Sequence, residues 1–307
     1  MTKYKIDSEL AKLARQKAPS NIYIYPIVNM VMKLSACTSD DKVTVKKYMT
    51  PGYDGGKLST LVIEPKNNSD ILPCIVFYHG GGFLLKASRA HYQIAKQYAE
   101  MAKCKVVFVD YRLLPRNKFP VAVEDCCCTY RWVLDYADML GINKDKIIVA
   151  GDSAGGNLAA AVTLMLWDRM RISPLGAMMI YPVTDRRMIT ESMKKFTDTP
   201  VWDAKLTKMF WKAYLGTQKI NQIQYASPIE AGSLEHFPNV YMEVAEFDCL
   251  RDEGIAFAER LRSEGVFTEL HEVKGACHGF ETALESRILE KSMQRRINWI
   301  QSVFNKN

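Results

Sequence analysis

Five short apolar runs constrain this chain more than any other feature: residues 74–78 (CIVFY), 106–109 (VVFV), 147–150 (IIVA), 177–181 (AMMIY) and 240–244 (VYMEV). They lack the strict polar–apolar alternation of a half-exposed strand, so each reads as a strand covered on both faces. Helix-patterned stretches lie between them, at 91–102, 121–140, 154–170 and 253–263. Strand–helix alternation predicts an α/β architecture, a mostly parallel central sheet with helices on both faces. Ahead of these, residues 43–49 and 58–64 do alternate. The turn Pro51-Gly52-Tyr53-Asp54-Gly55-Gly56 joins them, which predicts an antiparallel pair at the sheet edge.

One interval breaks the rhythm. Between Tyr181 and Val240 no strand is expected, and the stretch carries Trp202, Phe210, Trp211 and Tyr214. An insertion of that length is usually a lid or binding element. The segment 22–34 is apolar but too short to span a bilayer, and Asn29 and Lys33 interrupt it. It reads as an amphipathic helix that covers something. Met1 to Leu10 is polar and charged, so no signal peptide is expected at this end. The 307 residues are 48% hydrophobic, ample for a sizeable core. The net charge is +7, but the basic residues are scattered, without the block that marks a nucleic-acid arm. Eight cysteines show no paired zinc-type spacing, and several sit in apolar runs. Reduced thiols in a cytoplasmic protein are the expectation.

The chemistry concentrates in two glycine-rich turns. Gly151-Asp152-Ser153-Ala154-Gly155-Gly156 follows a predicted strand and opens a predicted helix, the setting that a G-x-S-x-G nucleophile turn requires. Glycines flank the serine because Cβ atoms there would meet the neighbouring strand and helix. The helix start also turns N–H groups and a positive dipole end toward the serine. Upstream, His79-Gly80-Gly81-Gly82-Phe83 follows the run 74–78. Such a run matches the loop that supplies oxyanion donors in lipases and esterases. By that match Gly81 and Gly82 donate, with the Ala154 N–H as third donor. His79 is expected to brace the loop by hydrogen bonds.

A serine nucleophile needs a base and an orienting acid, in the chain order Ser, acid, His. His271 lies in a strand-like run and His236 falls too early. His278, in the loop Gly275-Ala276-Cys277-His278-Gly279-Phe280, can swing over the serine. For the acid, Asp248 sits just past the run 240–244. Its competitors Asp252 and Glu253 suit a first helical turn, and Glu246 a structural role. The expected triad is Ser153, Asp248 and His278.

Taken together, these motifs resemble the hormone-sensitive-lipase-like family of α/β-hydrolase esterases, the acetyl-esterase and arylacetamide-deacetylase group. The resemblance rests on His79-Gly80-Gly81-Gly82, Asp110-Tyr111-Arg112-Leu113-Leu114-Pro115, Gly151-Asp152-Ser153-Ala154-Gly155-Gly156, Asp248-Cys249-Leu250-Arg251-Asp252-Glu253 and His278-Gly279-Phe280. It implies an α/β-hydrolase fold with a helical cap, and hydrolysis of short- to medium-chain acyl esters through an acyl-enzyme, without metal or organic cofactor. The implied organisation is an N-terminal cap segment (1–45), a catalytic core (46–184 and 226–307) and a cap insertion (185–225). Cys249 departs from the family, which usually has Pro after the catalytic Asp, and this is expected to loosen the loop slightly. Phe83, Trp202, Phe210, Trp211 and Tyr214 are expected to wall the substrate pocket. The expected partner is a small-molecule ester. Nucleic acid and stable membrane insertion are not expected, and a homodimer is left open. A rival reading, a binding protein on the same scaffold, is exemplified by the plant gibberellin receptors, which resemble this family but lack the catalytic His. Here Ser153, Asp248 and His278 are all present.

Overall fold

The computed structural model describes residues 3–32, 36–67, 70–217 and 219–305. Eight strands form one sheet: β1 (Val43–Pro51), β2 (Lys57–Pro65), β3 (Leu72–Tyr78), β4 (Lys105–Asp110), β5 (Ile142–Asp152), β6 (Gly176–Ile180), β7 (Asn239–Phe247) and β8 (Thr268–Cys277). Their spatial order is β1-β2-β4-β3-β5-β6-β7-β8. The β1–β2 and β2–β4 pairs are antiparallel and the remaining pairs parallel. The edge pair and the five buried runs thus stand where the hydrophobic pattern puts them.

The helices are α1 (Tyr25–Met32), α2 (Arg89–Met101), α3 (Val121–Asp135), α4 (Ala137–Leu140), α5 (Ala154–Met170), α6 (Glu191–Lys195), α7 (Ala204–Leu215), α8 (Arg251–Ser263) and α9 (Arg287–Phe304). The pleat sends alternate residues to opposite faces. On one face Val76, Val107 and Val149 meet Val123 of α3, Leu158 of α5 and Phe257 of α8. On the other Ile75, Phe108 and Ile148 meet Ile94 of α2 and Ile300 of α9. The stretch expected as one helix over 121–140 is two. Tyr136 leaves the helical region between α3 and α4, and Gly141, at φ 62°, closes α4 in the left-handed conformation.

Two segments cross over the C-terminal ends of the parallel strands. The first is N-terminal, with Leu10 and Leu13 sunk into the core on the α2–α9 side. The second is the stretch between β6 and β7 that carries α6 and α7. They meet at Val201. Its N–H donates to the Gln16 carbonyl (2.8 Å), and its own carbonyl accepts from the Ala18 N–H (3.3 Å).

Candidate active site

Ser153 is the single residue between β5 and α5, at φ 55° and ψ −117°. A side-chain-bearing residue holds that conformation only when its surroundings over-determine it. Here the Ser153 N–H donates to the Ile180 carbonyl (2.8 Å), and its carbonyl accepts from the Val183 N–H (3.2 Å). The flanking glycines are a steric necessity. A Cβ on Gly155 would lie 1.9 Å from the Tyr78 carbonyl oxygen, and one on Gly151 2.3 Å from that of Gly155.

Two more side chains reach Ser153 from adjacent strands. β7 ends at Phe247 and β8 at Cys277, and those two residues pair across the sheet. The next residues, Asp248 and His278, therefore leave the sheet side by side. His278 Nε2 is 2.9 Å from Ser153 Oγ, and His278 Nδ1 is 2.7 Å from Asp248 Oδ2. The Leu250 N–H donates to Asp248 Oδ1 at 3.0 Å. All three groups are buried, Asp248 completely. The rings of Tyr181 and Trp202 lie 4.7 and 6.2 Å from that of His278.

The competing residues are engaged elsewhere. His271 pairs with Glu269 at 2.6 Å, and His236 stacks on Trp167 at 3.9 Å. Asp252 accepts from the Ser192 N–H (2.7 Å), and Glu246 from the Gly275 N–H (2.8 Å). Glu253 accepts from the Thr184 N–H at 2.7 Å, and burial pushes its carboxyl well above the usual range. Cys249 is tied to the cap rather than loose. Its carbonyl accepts from Ser192 Oγ (2.8 Å), and its thiol lies 3.5 Å from Thr207 Oγ1.

Facing Ser153 is the glycine loop. Gly81 and Gly82 have φ values of 112° and 62°, which side-chain-bearing residues rarely adopt. Space excludes a Cβ as well: at Gly82 it would lie 2.4 Å from the Trp202 ring. Ala154 is the first residue of α5, so its N–H is outside the helix's own ladder.

Behind the loop stands a second histidine–carboxylate pair. The Gly80 N–H donates to Asp152 Oδ1 (2.9 Å), and Asp152 Oδ2 is 3.2 Å from His91 Nε2. His91 Nδ1 accepts from the Ser88 N–H at 2.9 Å. Burial opposes a charge on Asp152, but His91 outweighs it and holds the carboxyl below its ordinary range. Burial likewise opposes a charge on His91 while Asp152 favours one, with a net upward shift. The Ser88 N–H resists the second proton, so the ring is read as neutral, with Nε2 donating to Asp152. His79 is fully buried and stacks on Tyr111 at 4.5 Å. Its Nδ1 donates to the Gly80 carbonyl at 2.7 Å, and burial pushes its pKa down to about 4.

Above Ser153 opens a cavity of about 260 Å³. Trp202 lines it. Phe83, Phe210, Trp211 and Tyr214 do not, which corrects their expected place on its wall. Phe83 stacks on Tyr214 at 4.1 Å and meets Phe210 at 5.8 Å, inside the core. The helical spacing of Phe210, Trp211 and Tyr214 turns them inward, while Trp202 packs against Gly82 of the glycine loop. Beside the motif residues Gly81, Gly82, Ser153 and His278, the wall includes residues that no sequence motif marks. Leu85 and Ile94 flank the glycine loop, Val201 belongs to the cap, and Met32 to the N-terminal segment. Glu281 also lines the cavity and bonds to the Tyr181 hydroxyl and the buried Arg296, which in turn binds Glu243. Burial, joined by the charge of Asp152, raises the Glu281 pKa against the pull of Arg296.

Residues 75–282 match the family model described as the alpha/beta hydrolase fold. The chain is 34% identical over 228 residues to esterase LipI of Mycobacterium tuberculosis, covering 73% of this chain and 71% of that one. It is 33% identical over 235 residues to carboxylesterase NlhH of the same organism, covering 75% and 74%. Among solved structures, a bacterial heroin esterase superposes with a TM-score of 0.90 at 30% identity, covering 98% of this chain and 99% of that one. With the match spanning the core and the likeness nearly the whole fold, the chain belongs to the hormone-sensitive-lipase-like esterases of the α/β-hydrolase fold, and is a hydrolase of carboxylic esters.

Proposed function

We propose that ester hydrolysis here runs through an acyl-enzyme on Ser153, with His278 as base and Asp248 as its orienting acid. The observation that carries this reading is the unbroken line Asp248–His278–Ser153, with contacts of 2.7 and 2.9 Å, facing the two positive-φ glycines. As Ser153 Oγ attacks the ester carbonyl carbon, His278 Nε2 takes its proton. Negative charge moves to the carbonyl oxygen, where the N–H groups of Gly81, Gly82 and Ala154 stabilise it. Collapse expels the alcohol, which leaves with the proton held by His278. Water then attacks the acyl-enzyme by the same steps, and the carboxylic acid departs. Asp248 holds the imidazole in its working tautomer and stabilises the imidazolium in between.

The preferred acyl groups are short to medium, about acetyl to hexanoyl. The modest cavity, with Trp202 packed against Gly82, supports this. Each added methylene contributes ~0.8 kcal/mol only while there is room, and overpacking reverses the gain. Two measurements test the reading: kcat/KM for p-nitrophenyl esters from acetate to palmitate beside matched amides, and rapid mixing with p-nitrophenyl acetate. The expected result is a maximum at or below hexanoate and a stoichiometric burst of nitrophenol. A maximum at palmitate overturns the size preference. Hydrolysis that survives unchanged in Ser153→Ala overturns the acyl-enzyme.

A further inference from the structure

The helix α1 is built inside out. Its core-facing side carries Tyr25, fully buried with its hydroxyl donating to the Pro19 carbonyl (2.6 Å), and Asn29, 9% exposed. The Asn29 amide donates to the Leu84 carbonyl (2.7 Å), and its oxygen accepts from the Lys86 N–H (2.8 Å). Both hydrogen-bonding side chains of the helix thus point inward, and Asn29 clamps it to the segment just beyond the glycine loop. Everything that points outward is apolar. Tyr23, Ile24, Ile27, Met30 and Val31 are 76%, 42%, 64%, 68% and 62% exposed. Ile27, Met30 and Val31 belong to α1 and, with ~100° between successive residues, fall within an arc of ~100°. Tyr23 and Ile24 extend the apolar surface from the short 3-10 turn just before it. The expected amphipathic covering helix does cover the Leu84–Lys86 stretch, but the side left to water is the hydrophobic one. A rigidly held apolar surface of this size marks a contact site.

Charge identifies the partner. Residues 10–39 contain Lys12, Arg15, Lys17 and Lys33 and no acidic residue. Lys12, Arg15 and Lys17 are exposed. A second copy docking through this segment would bring together two basic stretches, with the acid Asp198, beside Lys17, a partial offset. An anionic lipid surface attracts them, while the apolar arc enters the boundary between headgroups and acyl chains. Among the described residues no helix is long and apolar enough to cross a membrane, so contact through α1 lies in the plane of the surface. The same segment supplies Lys17, Ala18 and Met32 to the cavity wall. Docking therefore brings the cavity mouth to the phase in which apolar esters concentrate.

We propose that the outward face of α1, with its basic flank, docks the enzyme on anionic lipid surfaces. This stands apart from the catalytic reading, because binding is measured without turnover. The full chain is mixed with phosphatidylcholine vesicles, with and without phosphatidylserine, and binding is read by flotation. The expected result is capture by the anionic vesicles, weakened by salt. Ile27→Ser/Met30→Ser should reduce it roughly tenfold or more, and Lys12→Gln/Arg15→Gln by ~fivefold per charge. Hydrolysis of soluble p-nitrophenyl acetate should be unchanged in both, since none of these residues touches the cavity. Wild-type protein that ignores both vesicle types overturns the proposal, as does a serine variant that binds like wild type. Dimers that the serine substitutions dissolve, without vesicle binding, overturn it in favour of self-association. Loss of hydrolysis in the wild type would instead remove the catalytic reading and leave the vesicle result standing.

Discussion

Two histidine–carboxylate pairs stand on opposite sides of Ser153, and they differ in what the far nitrogen meets and in how deeply the ring is buried. In His278–Asp248 the carboxylate holds Nδ1, and Nε2 faces the hydroxyl of Ser153. In His91–Asp152 the carboxylate takes Nε2, and Nδ1 is held by both the backbone N–H and the hydroxyl of Ser88. The first ring keeps a nitrogen with a proton to accept. In the second both nitrogens are committed to holding neighbours, and its carboxylate secures the Gly80 N–H. Residue type is shared, so the difference lies in the second partner and in exposure, the His91 side chain being 16% exposed against 6% for His278. On the proposed reading the same imidazole is a base where its far nitrogen meets only the Ser153 hydroxyl, and a brace where that nitrogen also accepts a backbone amide.

That contrast can be broken at several points. The largest expected effect is on the reactive side. Ser153→Ala and His278→Ala should each fold normally and lose roughly three or more orders of magnitude in kcat/KM, without adding in the double variant. Asp248→Asn should lose roughly four orders, because the ring loses its tautomer while the serine stays in place. A near-active Asp248→Asn enzyme would erase the distinction between the pairs.

The third histidine of the region, His79, hydrogen-bonds a backbone carbonyl and, among the described residues, no carboxylate, and offers a pH test. Its pKa in the folded protein is about 4, below the ~6.5 of an unfolded chain. Between those values the unfolded state takes up a proton that the folded state refuses. Stability present above pH ~6.5 is therefore lost as pH falls toward ~4, by roughly 3 kcal/mol from this residue. Urea unfolding at pH 7 and near pH 4, wild type against His79→Gln, isolates it: the variant's stability should fall less with acid. Parallel curves for the two proteins would remove burial of a neutral His79 from the account.

The smallest effect belongs to the brace. Asp152→Asn keeps an oxygen for the Gly80 N–H but weakens the tie to His91. A loss of about tenfold in kcat with little change in KM is expected, from looser oxyanion donors. If it matches Asp248→Asn instead, the second pair takes part in the chemistry and the division drawn above is wrong.

Much of this was legible in the residues. The uninterrupted runs announce buried parallel strands, and the two glycine turns mark the loops beside Ser153. Asp248 stood out from Asp252 and Glu253 because helix-start acids have another reason to be there. The cavity wall was not legible. Phe210, Trp211 and Tyr214 recur at helical spacing, and spacing says that they share a face without saying whether that face meets a cavity or Phe83. Glu281, Arg296 and Glu243 are far apart in sequence, and nothing local announces that an arginine will be fully buried between two acids. The split at Tyr136 has no Pro or Gly at the break, so the pattern of 121–140 reads as one helix. The inverted face of α1 was hidden for a related reason: a lone Asn in an apolar segment looks like the water side until Leu84 and Lys86 are seen to claim it.

The seam at Val201 has an evolutionary consequence. The N-terminal segment and the cap insertion are stitched there by main-chain hydrogen bonds, from Val201 to Gln16 and from Ala18 to Val201. Main-chain bonds do not depend on which side chains hang from them. The doorway's side chains can therefore drift while its frame stays closed, and the reactive groups, rooted at the ends of β5, β7 and β8, are untouched by that drift. A lineage built this way can trial new substrates one doorway substitution at a time, each trial starting from a working hydrolase.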